Sequence, residues 1–140
     1  MEKAKRFLLV EDDTDDQEVF IEALQQIDPT LICITAINGE EALSILEGSS
    51  KRLPDYIFLD LNMPIMNGKE FLKTVKNNSL YKNIPVIIYT TSEQEKDEKE
   101  TARFGAAYYL TKPTSLAELK TEIQQVMTMN TFKDSGLSLK

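Results

Sequence analysis

Short runs of apolar residues alternate with longer amphipathic stretches along this chain, and the alternation occurs five times. The apolar runs are typical of strands that are buried on both faces of a sheet. The stretches between them repeat apolar residues at steps of three and four, which predicts helices. Predicted strands cover residues 6–10, 31–36, 56–60, 85–90 and 107–111, and predicted helices cover residues 14–27, 39–47, 68–77, 93–101 and 115–127.

This order of elements predicts an α/β fold in which five βα units form a doubly wound, parallel, five-stranded sheet. Thr14 and Gln17 form a capping-box pattern at the start of the first helix. The fourth helix is unusual, because residues 93–101 include no apolar side chain. The other helices each have an apolar face, made of Val19, Phe20, Ala23, Leu24 and Ile27 in the first, Ala42, Leu43, Ile45 and Leu46 in the second, Phe71, Leu72 and Val75 in the third, and Leu116, Leu119, Ile123 and Val126 in the fifth.

Polar residues stand at the ends of four predicted strands, whereas the second strand leads into a plain turn at residues 37–39. A parallel sheet binds its ligand at the carboxyl ends of its strands, where the strand order reverses. With the second strand at the edge and the order 2-1-3-4-5, the four polar strand ends meet in one crevice. They are Glu11, Asp12 and Asp13 after the first strand, Asp60 at the end of the third, Thr90 at the end of the fourth and Lys112 after the fifth.

Asp60 alone is explained equally well as a residue that opens a turn. Together with Glu11 and Asp12 it predicts a cation site, because carboxylates about 5 Å apart repel by about 3 kcal/mol per pair at an effective dielectric of about 20. Oxygen ligands without His or Cys favour Mg²⁺. A bound Mg²⁺ leaves Asp60 able to attack phosphorus, with Lys112 as a second cation and Thr90 as a hydroxyl donor to a phosphoryl oxygen.

The remaining acids of this segment have a simpler interpretation. Asp13, Asp15 and Asp16 fit an acidic first turn that complements the dipole of the first helix.

Composition narrows the function further. The chain has 140 residues, a net charge of −7 and a pI of about 4.7, and no Lys or Arg cluster stands out, so nucleic acid is not an expected partner. The chain contains no histidine, which excludes Ser-His triads and histidine phosphodonors within it.

The single cysteine, Cys33, lies in an apolar run and is expected to be buried. The short apolar N-terminal run predicts no signal peptide or membrane span, so a cytoplasmic protein is expected.

The sequence resembles a response-regulator receiver domain of two-component signalling, with the flavodoxin- and CheY-like strand order. The resemblance covers about residues 5–127 and includes Asn67-Gly68 after the third strand. It rests on four fragments in order, LLVEDD at residues 8–13, LDLNMP at 59–64, VIIYTT at 86–91 and YLTKP at 109–113. It implies one receiver domain over residues 1–127, a short and loose C-terminal tail over residues 128–140, and no output domain.

The resemblance also implies residue roles. Asp60 is the expected phosphoacceptor, and the backbone carbonyl of Asn62 joins Glu11, Asp12 and Asp60 as a magnesium ligand. Thr90 and Tyr109 are the expected switch residues, although Tyr109 also fits a fixed residue at the rim of the core. The family places the acidic pair directly after the last apolar residue of the first strand, here Val10, so Asp13 is ranked as flanking that pair. Lys112-Pro113 resembles the segment in which the family has a cis peptide bond, an isomer that the sequence alone leaves open. Thr91 stands where the family often has alanine or glycine, and its bulk is expected to slow loss of the phosphoryl group.

The expected function is a phosphorylation-dependent signalling switch. Its partners are a sensor histidine kinase or phosphotransfer protein and an unidentified downstream protein, and the chain is expected to be a monomer or a weak homodimer. Its only catalysis is its own phosphoryl acceptance and slow dephosphorylation, so it is not expected to be an enzyme. Output is expected from the face of the fourth helix, fifth strand and fifth helix, although the fourth helix is equally well explained as a solvated surface helix.

Three other functions have partial support in the sequence. A receiver-like adaptor that acts without phosphorylation is the main alternative. A haloacid-dehalogenase-like phosphatase needs a second acid two residues after its nucleophile, and Asn62 cannot donate a proton there. A flavodoxin-like FMN carrier is excluded, because the acids after the first strand repel phosphate.

Overall fold

The computed structural model describes residues 4–49, 52–63 and 65–134, and strands and helices alternate along it as predicted. The strands are β1 (Arg6–Val10), β2 (Ile32–Ala36), β3 (Tyr56–Leu59), β4 (Val86–Thr90) and β5 (Tyr108–Thr111). The helices are α1 (Thr14–Ile27), α2 (Gly39–Gly48), α3 (Gly68–Lys76), α4 (Glu95–Arg103) and α5 (Leu116–Asp134). Apart from α4 and α5, every element begins and ends within about one residue of its predicted bounds.

The five strands are parallel and lie in the order β2-β1-β3-β4-β5, which confirms the predicted topology. Val10 is in register with Leu59, so the residues that follow these two strands, Glu11 and Asp60, leave the sheet side by side. The Asp60 amide donates to the Val10 carbonyl at 3.0 Å, and the Lys112 amide donates to the Thr90 carbonyl at 2.7 Å. Sheet pairing therefore continues up to the polar strand ends and holds their backbones in place.

A hydrophobic core lies on each face of the sheet. On one face α2 and α3 cover the strands with Leu46, Phe71 and Leu72, among other buried residues. On the other face α1 and α5 pack Phe20 and Ile123 against the aromatic residues of the strands. Both faces of the central strands are thus covered, which explains why their sequences lack alternation.

An aromatic cluster fills the core beneath α1 and α5. Phe7 stacks on Tyr56 with ring centroids 5.0 Å apart, and Phe20 meets Phe58 at 4.9 Å and Tyr89 at 5.7 Å. Such pairs stabilise a core by about 0.5–1.5 kcal/mol beyond the burial of their area. The cluster packs β1, β3 and β4 tightly together beneath the polar strand ends.

The structure departs from the sequence pattern of α1 at two points. Val19 belongs to the apolar pattern but is 42% exposed, since the buried residues of α1 are Phe20, Ala23 and Leu24. The N-cap is Asp13 rather than Thr14, and its carboxylate accepts from the amides of Asp15 and Asp16. An N-cap aspartate satisfies amides that the first helical turn leaves without partners.

The last two helices also differ from prediction. Helix α4 begins at Glu95, two residues late, after an N-cap Gln94 that makes no side-chain cap hydrogen bond. Helix α5 continues to Asp134, so part of the predicted loose tail is helical, while residues 135–140 lie outside the described residues. Among the α5 residues whose burial the structure describes, Leu119, Ile123 and Val126 are buried.

Candidate functional site

Asp60 follows β3 and is buried at the carboxyl edge of the sheet. Its Oδ1 accepts a long hydrogen bond, 3.4 Å, from the amide of Asn62, whose own side chain is exposed. Gly68, the first residue of α3, lies directly against the backbone of Asp60 and Leu61, where a Cβ atom would come within 2.7 Å of the Leu61 Cα. The helix can start this close to Asp60 only because residue 68 has no side chain.

Glu11 and Asp12 complete an acidic cluster with Asp60. One carboxylate oxygen from each of the three residues lies within 4.8 Å of the others, with Glu11 and Asp60 buried and Asp12 exposed. This donor set suits a hard divalent cation such as Mg²⁺, and the exposed Asp12 leaves a side of the cluster open to water. The backbone carbonyl of Asn62 is the further ligand that the family resemblance implies.

The burial of Glu11 has an electrostatic consequence. Burial raises the pKa of Glu11 to about 7, the nearby Asp60 carboxylate adds to the rise, and a hydrogen bond from Lys112 opposes it. Two buried carboxylates this close disfavour each other's charged form, and a cation relieves that repulsion.

Lys112 is the cation already present at this edge. Its Nζ donates to Glu11 Oε1 at 2.6 Å and to Asp16 Oδ2 at 2.7 Å, and it lies 3.6 Å from Asp60 Oδ2. Burial alone lowers the pKa of Lys112, but its hydrogen bonds to Asp16 and Glu11 outweigh that effect and raise it. The ammonium group also lies 5.4 Å from the centroid of the Tyr89 ring. The peptide bond from Lys112 to Pro113 is trans, so the cis bond that the resemblance implies is not found.

Asp16 is a site residue that the sequence interpretation missed. It was assigned to the dipole of α1, yet its carboxylate faces the crevice and binds Lys112. The available signal was its place in the first turn of α1, close along the chain to Glu11 and Asp12. The Asp13 carboxylate, by contrast, caps the N-terminus of α1, which fits a residue that flanks the acidic pair.

Thr90 and Tyr109 lie on neighbouring strands and are joined through Ser92. Thr90 is fully buried, and its Oγ1 accepts a long hydrogen bond, 3.4 Å, from the Ser92 amide. The hydroxyl of Tyr109, which is half-buried, donates to the Ser92 carbonyl at 2.9 Å. Sequence reasoning missed Ser92, because its role lies mainly in backbone contacts that any residue type offers.

The same segment is tied to α4. Ser92 Oγ donates to Asp97 Oδ2 at 2.6 Å, and Asp97 also binds Lys69 of α3 at 2.6 Å. Lys69 lies 3.3 Å from Glu100 as well. Of the α4 residues, all of which the structure describes, only Thr101 is buried. Helix α4 is therefore held mainly by polar contacts, which confirms the expectation that it buries little.

Comparison with known proteins identifies the family. Residues 7–124 match the family model of the response regulator receiver domain. This chain belongs to that family. As a receiver domain it is a component of two-component signalling. The response regulator Rcp1 of Synechocystis sp. is 35% identical to it over 128 residues, which cover 87% of this chain and 86% of Rcp1.

Other relatives are much longer than this receiver domain. The phosphate regulon transcriptional regulatory protein PhoB of Escherichia coli is 32% identical over 124 residues, which cover 89% of this chain and 52% of PhoB. The sensor histidine kinase CheAY of Helicobacter pylori is 31% identical over 118 residues, and the match covers 84% of this chain but 14% of the kinase. The chain thus spans only part of these relatives.

Solved structures agree with the family and the fold. The phosphorylated cyanobacterial phytochrome response regulator RcpA superposes with a TM-score of 0.79 at 31% identity, covering 96% of this chain and 97% of RcpA. The Mn²⁺-bound form of Rcp1 superposes with a TM-score of 0.77 at 32% identity, covering 87% of this chain and 91% of Rcp1. Among the described residues of the receiver domain, no helix is both long and apolar enough to cross a membrane.

Proposed function

We propose that Asp60 accepts a phosphoryl group from the phosphohistidine of a sensor kinase or phosphotransfer protein, with Mg²⁺ held by Glu11, Asp12, Asp60 and the Asn62 carbonyl. The observation that carries this proposal is the convergence of three carboxylates within 4.8 Å, with Lys112 only 3.6 Å from Asp60. Bound Mg²⁺ supplies positive charge that offsets both the Asp60 carboxylate and the incoming phosphoryl group.

The chain's own residues account for the transfer. An oxygen of the Asp60 carboxylate forms a bond to phosphorus, while the bond from phosphorus to the histidine nitrogen breaks and its electron pair stays on the imidazole. Lys112 offsets the charge on one side of the phosphoryl group, and the Thr90 hydroxyl donates to a phosphoryl oxygen. Phosphoryl transfer needs little beyond this positioning and charge compensation.

Asn62 supports a lasting signal rather than rapid turnover. It follows Asp60 by two residues, where an acid could activate water or protonate a leaving group, and an amide does neither. The aspartyl phosphate is then lost slowly by self-catalysed hydrolysis. This supports a signalling domain over a phosphatase.

Phosphorylation is proposed to act on α4 through Ser92. Thr90 moves toward the phosphoryl group, and this breaks the weak 3.4 Å hydrogen bond from the Ser92 amide. The segment around Ser92 then shifts. This weakens the hydrogen bond from the Tyr109 hydroxyl to the Ser92 carbonyl and the one from Ser92 Oγ to Asp97. Because α4 buries little, its displacement costs few apolar contacts. The face of α4, β5 and α5 changes and recruits the downstream protein.

Phosphoryl acceptance is tested with acetyl phosphate and Mg²⁺, followed by intact-mass measurement. The wild-type chain is expected to gain one phosphoryl group, and Asp60→Asn is expected to gain none. Asp15→Asn is the matched control, because Asp15 is an exposed acid on α1 and its loss should leave the gain unchanged. No gain by the wild type favours the adaptor that acts without phosphorylation.

The metal site is tested by titrating Mg²⁺ while tyrosine fluorescence is followed, since Tyr89 lies near Lys112. Asp12→Asn is expected to need a higher Mg²⁺ concentration for half of the response. Equal titration curves for wild type and Asp12→Asn would exclude Asp12 as a ligand.

The switch is tested by hydrogen exchange of the backbone amides of residues 92–103 before and after phosphorylation. Exchange is expected to rise in the wild type, and Thr90→Ala is expected to abolish most of that rise while Asp60 still accepts phosphate. A rise of the same size in Thr90→Ala would show that α4 responds by another route.

A further inference from the structure

Lys112 is shared unequally among three carboxylates. Its Nζ lies 2.6 Å from Glu11 and 2.7 Å from Asp16, but 3.6 Å from Asp60. The two short distances are charge-assisted hydrogen bonds, whereas the third is longer than a hydrogen bond. The ammonium group is therefore drawn toward the Asp16 side of the crevice and away from the phosphoacceptor.

One of the two short bonds is much easier to break than the other. The Glu11 side chain is 1% exposed, so losing Lys112 would leave a buried carboxylate without its cation. The Asp16 side chain is 39% exposed, and water can replace Lys112 around it at small cost. When a phosphoryl group on Asp60 needs a bond from Lys112, Asp16 is the partner that Lys112 leaves.

We infer that Asp16 is a positioning residue that holds Lys112 away from Asp60 and thereby restrains acceptance of the phosphoryl group. This inference rests on the function proposed above. Asp16 adds stability to the unphosphorylated arrangement, because its bond to Lys112 must be given up when the phosphoryl group arrives. Its effect passes through Lys112, and Asp16 itself touches no reacting atom.

The simpler interpretation of Asp16 is that it only complements the dipole of α1. Asp15 shares that interpretation, since it stands in the same first turn, carries the same charge and is more exposed. What separates the two residues is the 2.7 Å hydrogen bond that Asp16 accepts from Lys112. Asp15→Asn is therefore a matched control that changes the net charge and the helix dipole without touching Lys112.

The experiment measures the rate of phosphorylation by acetyl phosphate with saturating Mg²⁺, using intact mass. Asp16→Asn is expected to react about fivefold faster than wild type, because the partly exposed ion pair between Asp16 and Lys112 no longer opposes the reaction. Asp15→Asn is expected to react at the wild-type rate. Asp16→Glu restores the carboxylate and is expected to return the rate to near the wild-type value, which a purely structural role for Asp16 does not predict.

The outcomes separate the two proposals. If wild type is phosphorylated but Asp16→Asn and Asp15→Asn react at equal rates, Asp16 does not restrain Lys112 and only this inference fails. If neither wild type nor any variant gains a phosphoryl group, the proposed function itself fails. Asp16→Ser is a second variant without the carboxylate, and urea unfolding of each variant confirms that the compared chains are folded.

Discussion

Gly68 offers a direct test of how the start of α3 supports Asp60, the proposed phosphoacceptor. In Gly68→Ala the added Cβ would lie 2.7 Å from the Leu61 Cα and even closer to the carbonyl oxygen of Asp60. Real Cβ atoms essentially never come within 3.0 Å of such neighbours. Both obstructing groups are backbone, so neither can rotate away as a side chain could. Either α3 must retreat or the loop that carries Asp60 must shift.

The size of the effect follows from this crowding. Forcing one extra carbon into a closely packed position costs about 1–3 kcal/mol, and the backbone contact at Gly68 favours the upper part of that range. Gly48, at the end of α2, has no atom within 4 Å of an added Cβ. Gly48→Ala is therefore expected to be neutral or to stabilise the fold by about 0.4–1 kcal/mol, because alanine restricts the unfolded chain.

Urea unfolding followed by circular dichroism gives both free energies of unfolding. Phosphorylation by acetyl phosphate then shows whether the displaced Asp60 backbone also slows the reaction. Gly68→Ala is expected to be both less stable and slower. If its stability lies within about 0.5 kcal/mol of that of Gly48→Ala, the close approach of α3 to Asp60 does not constrain the site.

Three further predictions concern other parts of the fold. Cys33 is half-buried against the core, and burial raises the pKa of its thiol to about 12, so alkylation by iodoacetamide at pH 8 is expected to be much slower in the folded chain than in urea. Leu24→Ala is expected to cost about 2–5 kcal/mol in urea unfolding, whereas Val19→Ala on the exposed side of α1 should cost under about 1 kcal/mol. Asp97→Asn is expected to cost about 0.5–1 kcal/mol at pH 7. The hydrogen bonds from Lys69 and Ser92 lower the pKa of Asp97, so its stabilisation is present above the ordinary aspartate pKa and is lost as the pH falls through the lowered value.

Each of these predictions has a result that contradicts it. Equal labelling of Cys33 in folded and unfolded chains would mean that β2 exposes the thiol. Similar losses of stability for Leu24→Ala and Val19→Ala would mean that α1 does not bury the face that carries Leu24 in preference to the one that carries Val19. A cost of Asp97→Asn that stays constant from neutral to strongly acidic pH would mean that the Asp97 carboxylate is not held in its charged form.

The sequence predicted the elements well where the signal is local. Each strand is a continuous apolar run and most helices have an apolar stripe, and both patterns depend only on neighbours along the chain. The apolar pattern of α1 did not decide whether Val19 is buried, because an apolar residue at the edge of a stripe is compatible with burial or exposure. The end of α5 was missed because the prediction ended this helix at Met127, whereas the helix continues to Asp134.

The acidic cluster was also predictable, since each member follows a strand and parallel strands end at one edge of the sheet. Glu11, Asp12, Asp60 and Lys112 needed only the strand order to be brought together. Asp16 and Ser92 did not follow from that rule. Asp16 reaches the crevice from the side of a helix, and Ser92 connects Thr90 to Tyr109 through its backbone.

By itself, the sequence determined which residues form the sheet and which acids stand at its edge. Only the tertiary structure decided how Lys112 divides its hydrogen bonds among Glu11, Asp16 and Asp60. The physical reason is that strand ends are positioned by backbone pairing, which the apolar pattern encodes. The partners of a long charged side chain depend instead on differences of about 1 Å and on the burial of each neighbour, and these arise only when α1, β3 and β5 pack together.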